Sequence, residues 1–130
     1  MSHMTEIKSQ IKNLESLERA CERLGLTLHR GQTSATYYSG QRASCDHAIS
    51  VPNTGYQVGV KQAADGTYSL LADTYDPTLR KAVGDSCSKL AQAYNIEESR
   101  RQARMKGLDV TERVLENGTV RLEVQIGRGE

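Results

Sequence analysis

Residues 56–72 read YQVGVKQAADGTYSLLA, and this stretch decides the fold class. Tyr56, Val58 and Val60 alternate with polar residues, the period of a strand with one buried face. Asp65-Gly66 is a hairpin turn pair. Tyr68, Leu70, Leu71 and Ala72 then form the returning strand. A second hairpin stands near the end of the chain. Val110, Val114 and Leu115 are followed by Asn117-Gly118, then by Val120, Leu122, Val124 and Ile126. The Asn-Gly pair predicts a type I′ turn, with positive φ at both central residues.

Working outward, residues 2–12 alternate loosely, with Met4, Ile7 and Ile11 apolar, and read as a strand. Asn13 reads as an N-cap, because its side chain can accept from free amides of a first helical turn. Leu14, Leu17, Cys21 and Leu24 recur at three and four, so a helix spans Leu14–Leu24, with Gly25 closing it. Short strands follow at Leu26–His29, Ala35–Tyr38 and Asp46–Val51, with a turn at Pro52-Asn53-Thr54-Gly55. Asp76-Pro77 opens a second helix, where proline's missing amide costs nothing. Its stripe is Leu79, Val83, Cys87, Leu90, Ala91 and Tyr94, and it runs from Thr78 to about Ala93, continuing or bending through Glu97–Met105 to Lys106-Gly107. The order is roughly β-α-β-β-β-β-α-β-β. The expectation is one α+β domain over residues 1–130, a curved antiparallel sheet with two helices packed on one face.

Composition narrows the function. The chain of 130 residues has 17 basic and 16 acidic side chains, which argues against a strongly cationic nucleic-acid coat. No apolar run reaches transmembrane length and the N-terminus is polar, so the expected location is the cytoplasm. Phe and Trp are absent, so the core needs aliphatic residues and the six tyrosines. Cys21, Cys45 and Cys87 lie far apart with no CxxC pair and read as reduced, semi-buried hydrophobes.

The two ends of the chain carry a family likeness. Met1-Ser2-His3-Met4 leads into Ile7-Lys8-Ser9-Gln10-Ile11-Lys12-Asn13-Leu14. Further on come Gln92-Ala93-Tyr94, Lys106-Gly107-Leu108-Asp109-Val110 and Asn117-Gly118-Thr119-Val120-Arg121-Leu122-Glu123-Val124. These runs resemble the family of hypothetical proteins called ycf thirty-five, encoded in plastids and cyanobacteria and with relatives in phages. The sequence departs from that family's pattern at Met4, where Phe is usual, and at Gly127-Arg128, where a tryptophan often stands. The resemblance implies a fold and no reaction.

No catalytic signature is present. Gly31, Gly40, Gly55 and Gly59 match neither a dinucleotide fingerprint nor a P-loop. Cys45-Asp46-His47 sets three donors in a row, but on a strand only Cys45 and His47 would share a face. Arg100, Arg101, Arg104 and Lys106 form the dense basic cluster. Glu97 and Glu98, four and three residues before Arg101, can neutralise part of it. Tyr37 and Tyr38 are adjacent, so one faces inward and the other outward, near Arg42. An outward ring beside a guanidinium suits a nucleobase and its phosphate, and equally suits a subunit interface.

The expected site is therefore His3, Tyr37 or Tyr38, Arg42, and one or more of Arg100, Arg101 and Arg104. No cofactor or metal is expected. The expected partners are a second copy of the chain, covering a sheet edge, and a small anionic ligand, with neither a membrane nor a long nucleic acid. The leading reading is a non-enzymatic binding protein that captures a nucleotide or cyclic nucleotide signal. In a phage this would sequester a host immune signal. The alternatives are a protein–protein interaction module without a ligand, and an enzyme that pairs His3 or His47 with a carboxylate of another chain.

Overall fold

A computed structural model describes residues 4–125. His3 and Ile126 lie outside the described residues. In chain order the elements are β1 (Met4–Lys8), α1 (Leu14–Arg23), β2 (Thr27–Arg30), β3 (Ser34–Tyr37), β4 (Gln41–Ser44), β5 (His47–Ser50), β6 (Gln57–Gln62), β7 (Tyr68–Asp73), α2 (Pro77–Val83), α3 (Ser88–Met105), β8 (Asp109–Val114) and β9 (Val120–Gln125). The class is α+β, as expected. Among the described residues, five strands make one antiparallel sheet in the order β1-β7-β6-β5-β2. β3 pairs with β4 and β8 with β9 in two smaller sheets.

The strand register sorts the side chains. Leu28 lies opposite Ile49, Ile49 opposite Val58, Val60 opposite Leu70, and Leu70 opposite Ile7. This face joins Leu17, Ala20 and Cys21 of α1, Leu79 and Val83 of α2, and Leu90, Ala93 and Tyr94 of α3 in one buried cluster. The helical stripes expected from the sequence are the ones that fill it. The opposite face of the sheet carries Ala48, Gly59 and Leu71. Against it lies the β3–β4 hairpin, through Ala35 and Cys45. A Cβ on Gly59 would sit 3.3 Å from the Cβ atoms of both Cys45 and Leu71, so glycine lets the two layers approach.

The local signals worked as physical chemistry requires. Asn13 Oδ1 accepts from the Ser16 amide at 2.9 Å, and Asp76 Oδ2 accepts from the Leu79 amide at 2.8 Å with Pro77 in the first turn. Tyr94 Oη accepts from the amides of Lys12 and Asn13, both at 3.1 Å, and so ties the entrance of α1 to α3. Ser9 Oγ donates to the carbonyl of Tyr68, joining the linker after β1 to β7.

Three details differ from the sequence expectation. First, the second helical region is broken: α2 ends at Gly84, a short 3-10 turn covers Asp85–Cys87, and α3 starts afresh. Ser86 and Cys87 both have left-handed backbone, at φ 51° and 61°. A Cβ on Gly84 (φ 88°) would lie 2.5 Å from the Lys89 amide nitrogen, so only glycine fits this corner. Second, Gln41–Ser44 is a strand of its own, and the expected single sheet is three. Third, the Asn117-Gly118 turn is not type I′, because Asn117 lacks positive φ and only Gly118 has it, at 84°. The Gly118 amide donates to Leu115 O and the Leu115 amide to Thr119 O. This is a three-residue loop closed by a glycine bulge. The β6–β7 turn is built identically, with Gly66 donating to Ala63 O and Ala63 to Thr67 O.

Candidate functional site

The structure places the expected site residues on opposite sides of the main sheet. Tyr37, Tyr38 and Arg42 belong to the β3–β4 hairpin on one side, and Arg100, Arg101 and Arg104 to α3 on the other. One chain does not bring the two sets together, so a site using both takes them from two copies. His3 lies outside the described residues.

On the hairpin, Tyr37 pairs with Gln41 and Thr36 with Arg42. Tyr37 falls on the side of Ala35, which is wholly buried, and is itself half-buried. Tyr38 begins the connecting 3-10 turn and is 44% exposed. Tyr38 is thus the more exposed of the adjacent tyrosines, and Tyr37 stays half-buried outside both core clusters. Arg42 points away from Ala35 and donates its Nε to Ser34 Oγ at 2.8 Å. That bond orients the guanidinium, and its terminal nitrogens make no ion pair among the described residues. The hairpin is fastened to the sheet by Gln57. Its Oε1 accepts from Gln32 Nε2 at 2.9 Å and from the Thr36 amide at 3.1 Å, and its Nε2 donates to Ser50 Oγ at 3.1 Å.

The arginines of α3 are mostly occupied. Arg101 forks onto Glu98 with Nε at 2.9 Å and Nη2 at 2.8 Å. Arg100 Nη1 donates to Glu112 Oε2 at 2.8 Å. Arg23 of α1 joins the same cluster, donating through Nη1 and Nη2 to Glu112 and through Nε and Nη2 to Glu97. The Arg101 fork holds the Glu98 carboxyl well down, to about 2, with Gln102 and Ser16 adding hydrogen bonds against the opposing effect of burial. Glu112 is lowered as well, chiefly by its hydrogen bonds from Arg23. These groups lock α1, α3 and β8 together. Of the helical arginines expected at the site, Arg104 is exposed and makes no ion pair among the described residues.

The groups considered for nucleophilic or metal chemistry have structural work. Cys45 Sγ donates to Gln32 O, and His47 Nδ1 accepts from the Gly31 amide while its ring meets Tyr68 edge-on. All three cysteines are buried and unpaired. Burial, with Glu18 and Glu22 adding to it, pushes the Cys21 thiol up to about 12, and burial alone pushes Cys87 to about 11. Neither is a ready nucleophile near neutral pH. Among the described residues no cluster of three His, Cys, Asp or Glu side chains is placed to hold a metal ion, and no helix is long and apolar enough to cross a membrane.

Sequence reasoning overlooked a groove between the end of α1, the β5–β6 turn and α2. It has a volume of about 580 Å³ and its lining includes Leu24, Leu26, Pro52, Pro77, Lys81 and Lys89. The signal was faint, since its residues come from four separate stretches of the chain.

No curated protein and no solved structure matches the chain. Residues 20–123 match a family model described as a protein of unknown function, DUF1257. The match runs from the last turn of α1 into β9, taking in every element from β2 to β8 but not β1, well over half the chain, and the protein therefore belongs to the DUF1257 family.

Proposed function

We propose that this protein is a non-enzymatic, homo-oligomeric binding protein that captures a small anionic ligand, a nucleotide or cyclic nucleotide. The observation that carries this reading is the β3–β4 hairpin, where the oriented guanidinium of Arg42 on β4, free of any described carboxylate, stands four residues from the exposed Tyr38 ring of the connecting turn. A flat ring offers a base a stacking face, and a guanidinium fork offers a phosphate two parallel donors. In an oligomer, Arg104 of a second copy supplies a further cation, while Arg100 and Arg101 join only by releasing Glu112 and Glu98. His3 belongs to the proposed site through the sequence alone. The finer likeness to ycf thirty-five, with its phage relatives, extends the reading: a phage-encoded copy would sequester a nucleotide immune signal of its host.

Calorimetry with a panel of linear and cyclic nucleotides tests the proposal. A ligand that binds the parent and loses at least tenfold in affinity in Arg42→Ala and in Tyr38→Ala supports it. No heat with any member of the panel, or unchanged affinity in both variants, ends it.

A second reading, an interaction module without a small ligand, is favoured by the β8–β9 hairpin. Its Val114 and Val124 are 71% and 53% exposed. Among the described residues β1 and β2 are also the edges of the main sheet. Light scattering decides whether a second copy covers these surfaces, because a single-chain mass at high concentration removes the homo-oligomer.

A further inference from the structure

We propose that the groove between α1, the β5–β6 turn and α2 is a second binding site, for a soluble anion with an apolar body. Its volume of about 580 Å³ lies in the range of small-ligand sites, about 300–1,000 Å³. Leu24, Leu26, Pro52 and Pro77 supply an apolar lining, and Lys81 and Lys89 add two ammonium groups, with no acidic side chain in the lining. Neither lysine has an ion-pair partner among the described residues. This is the reverse of Arg23, Arg100 and Arg101, whose charges are spent on carboxylates. Two unpaired cations beside an apolar surface select a ligand that carries both an anionic head and a greasy or aromatic body.

The backbone builds this arrangement. The corner at Gly84, where any side chain would strike the Lys89 amide, turns α3 back after α2. Lys89 Nζ then donates to the Lys81 carbonyl at 3.3 Å, which sets its ammonium at the end of α2. Two lysines eight positions apart, which a continuous helix would hold about 12 Å apart along its axis, are thus brought together. Pro52 and Pro77 restrict the chain on either side of the opening, so the groove needs little ordering when a ligand enters.

The site is separate from the nucleotide reading, which rests on the far side of the sheet, and each can fail without the other. The test is a titration of the isotope-labelled protein at low salt, followed by amide NMR, with decanoate as the probe. Decanol, which lacks the charge, and acetate, which lacks the body, are the controls. Decyl phosphate distinguishes a phosphate from a carboxylate head. The expected result is saturable shifts at Leu24, Leu26, Lys81 and Lys89 with decanoate or decyl phosphate, at least tenfold tighter than with decanol or acetate. The double variant Lys81→Ala/Lys89→Ala changes only exposed side chains and keeps the parent spectrum elsewhere. It should weaken decanoate at least fivefold. Absence of shifts in the groove, equal binding of decanol, or unchanged affinity in the double variant overturns the proposal.

Discussion

The β6–β7 and β8–β9 hairpins share a turn and little else. Both loops place an Asx residue before glycine and threonine. Asp65 Oδ1 accepts from the Thr67 amide at 2.9 Å, and Asn117 Oδ1 accepts from the Thr119 amide at 3.0 Å. Both end in a left-handed glycine. Yet β6 and β7 lie in the middle of the five-stranded sheet with Val58, Val60 and Leu70 buried, whereas β8 and β9 pair, among the described residues, only with each other and leave Val114 and Val124 exposed. Turn chemistry is local and sets the register, while burial depends on which neighbours the rest of the chain supplies. The outer hairpin is held by Glu112, whose carboxylate meets Arg23 and Arg100. A two-stranded ribbon is marginal on its own, so an anchor of this kind is required.

The sharpest break in the comparison is a large-to-small change in each hairpin. Leu70→Ala should cost about 2–5 kcal/mol, by loss of burial and a cavity, and Leu122→Ala less than half as much. Denaturant melts check this, and equal losses would mean that the outer hairpin is part of the main core. Next come the turns themselves. Gly66→Val and Gly118→Val each force a β-branched residue into left-handed backbone and should cost about 1–2 kcal/mol. If the turn is local, the two losses agree. A Gly118→Val protein that melts like the parent contradicts the strained turn. Glu112→Ala should cost about 1 kcal/mol globally. Its clearer effect is faster hydrogen exchange in β8 and β9, with β6 and β7 unchanged.

The comparison also breaks with pH. Glu98 falls from the usual 4.5 to about 2 in the folded state, and Glu112 is also lowered. A depressed carboxyl adds stability that is fully present above about pH 4.5 and is lost as pH falls towards 2. Protection factors at β8 and β9, which allow for the slower intrinsic exchange of amides in acid, should therefore fall across that window before those at β6 and β7. A Glu98→Gln/Glu112→Gln protein should lack the effect.

The same contrast explains what could be read from the sequence. Asn13, Asp76-Pro77 and the two glycine turns act through neighbours within four residues, and their positions were legible, though the Asn117-Gly118 turn is a glycine bulge loop and not the expected type I′. The pairing of Glu98 with Arg101 was also local. Glu97 turned instead to Arg23, and Arg100 to Glu112, because the chain brings α1 and β8 against α3. The break at Gly84 was masked because Leu79, Val83, Cys87 and Leu90 keep helical spacing straight across it, and all four are buried. The layer formed by β3 and β4 left only a trace, the small residues Ala35, Ala48 and Gly59 that let it settle on the sheet. The candidate site was legible as residue types, but its division across the sheet follows from topology that no local pattern encodes.

The linking of β1 to β7 has a consequence for synthesis on the ribosome. Ser9 finds the carbonyl of Tyr68, 59 residues along the chain, so the first strand has no partner until most of the protein exists. When Asp73 emerges, the five-stranded sheet can close, but the helices that cover the rest of its apolar face end only at Met105. At about 5–20 residues per second that face stays open for seconds, long enough for a chaperone to bind the nascent chain.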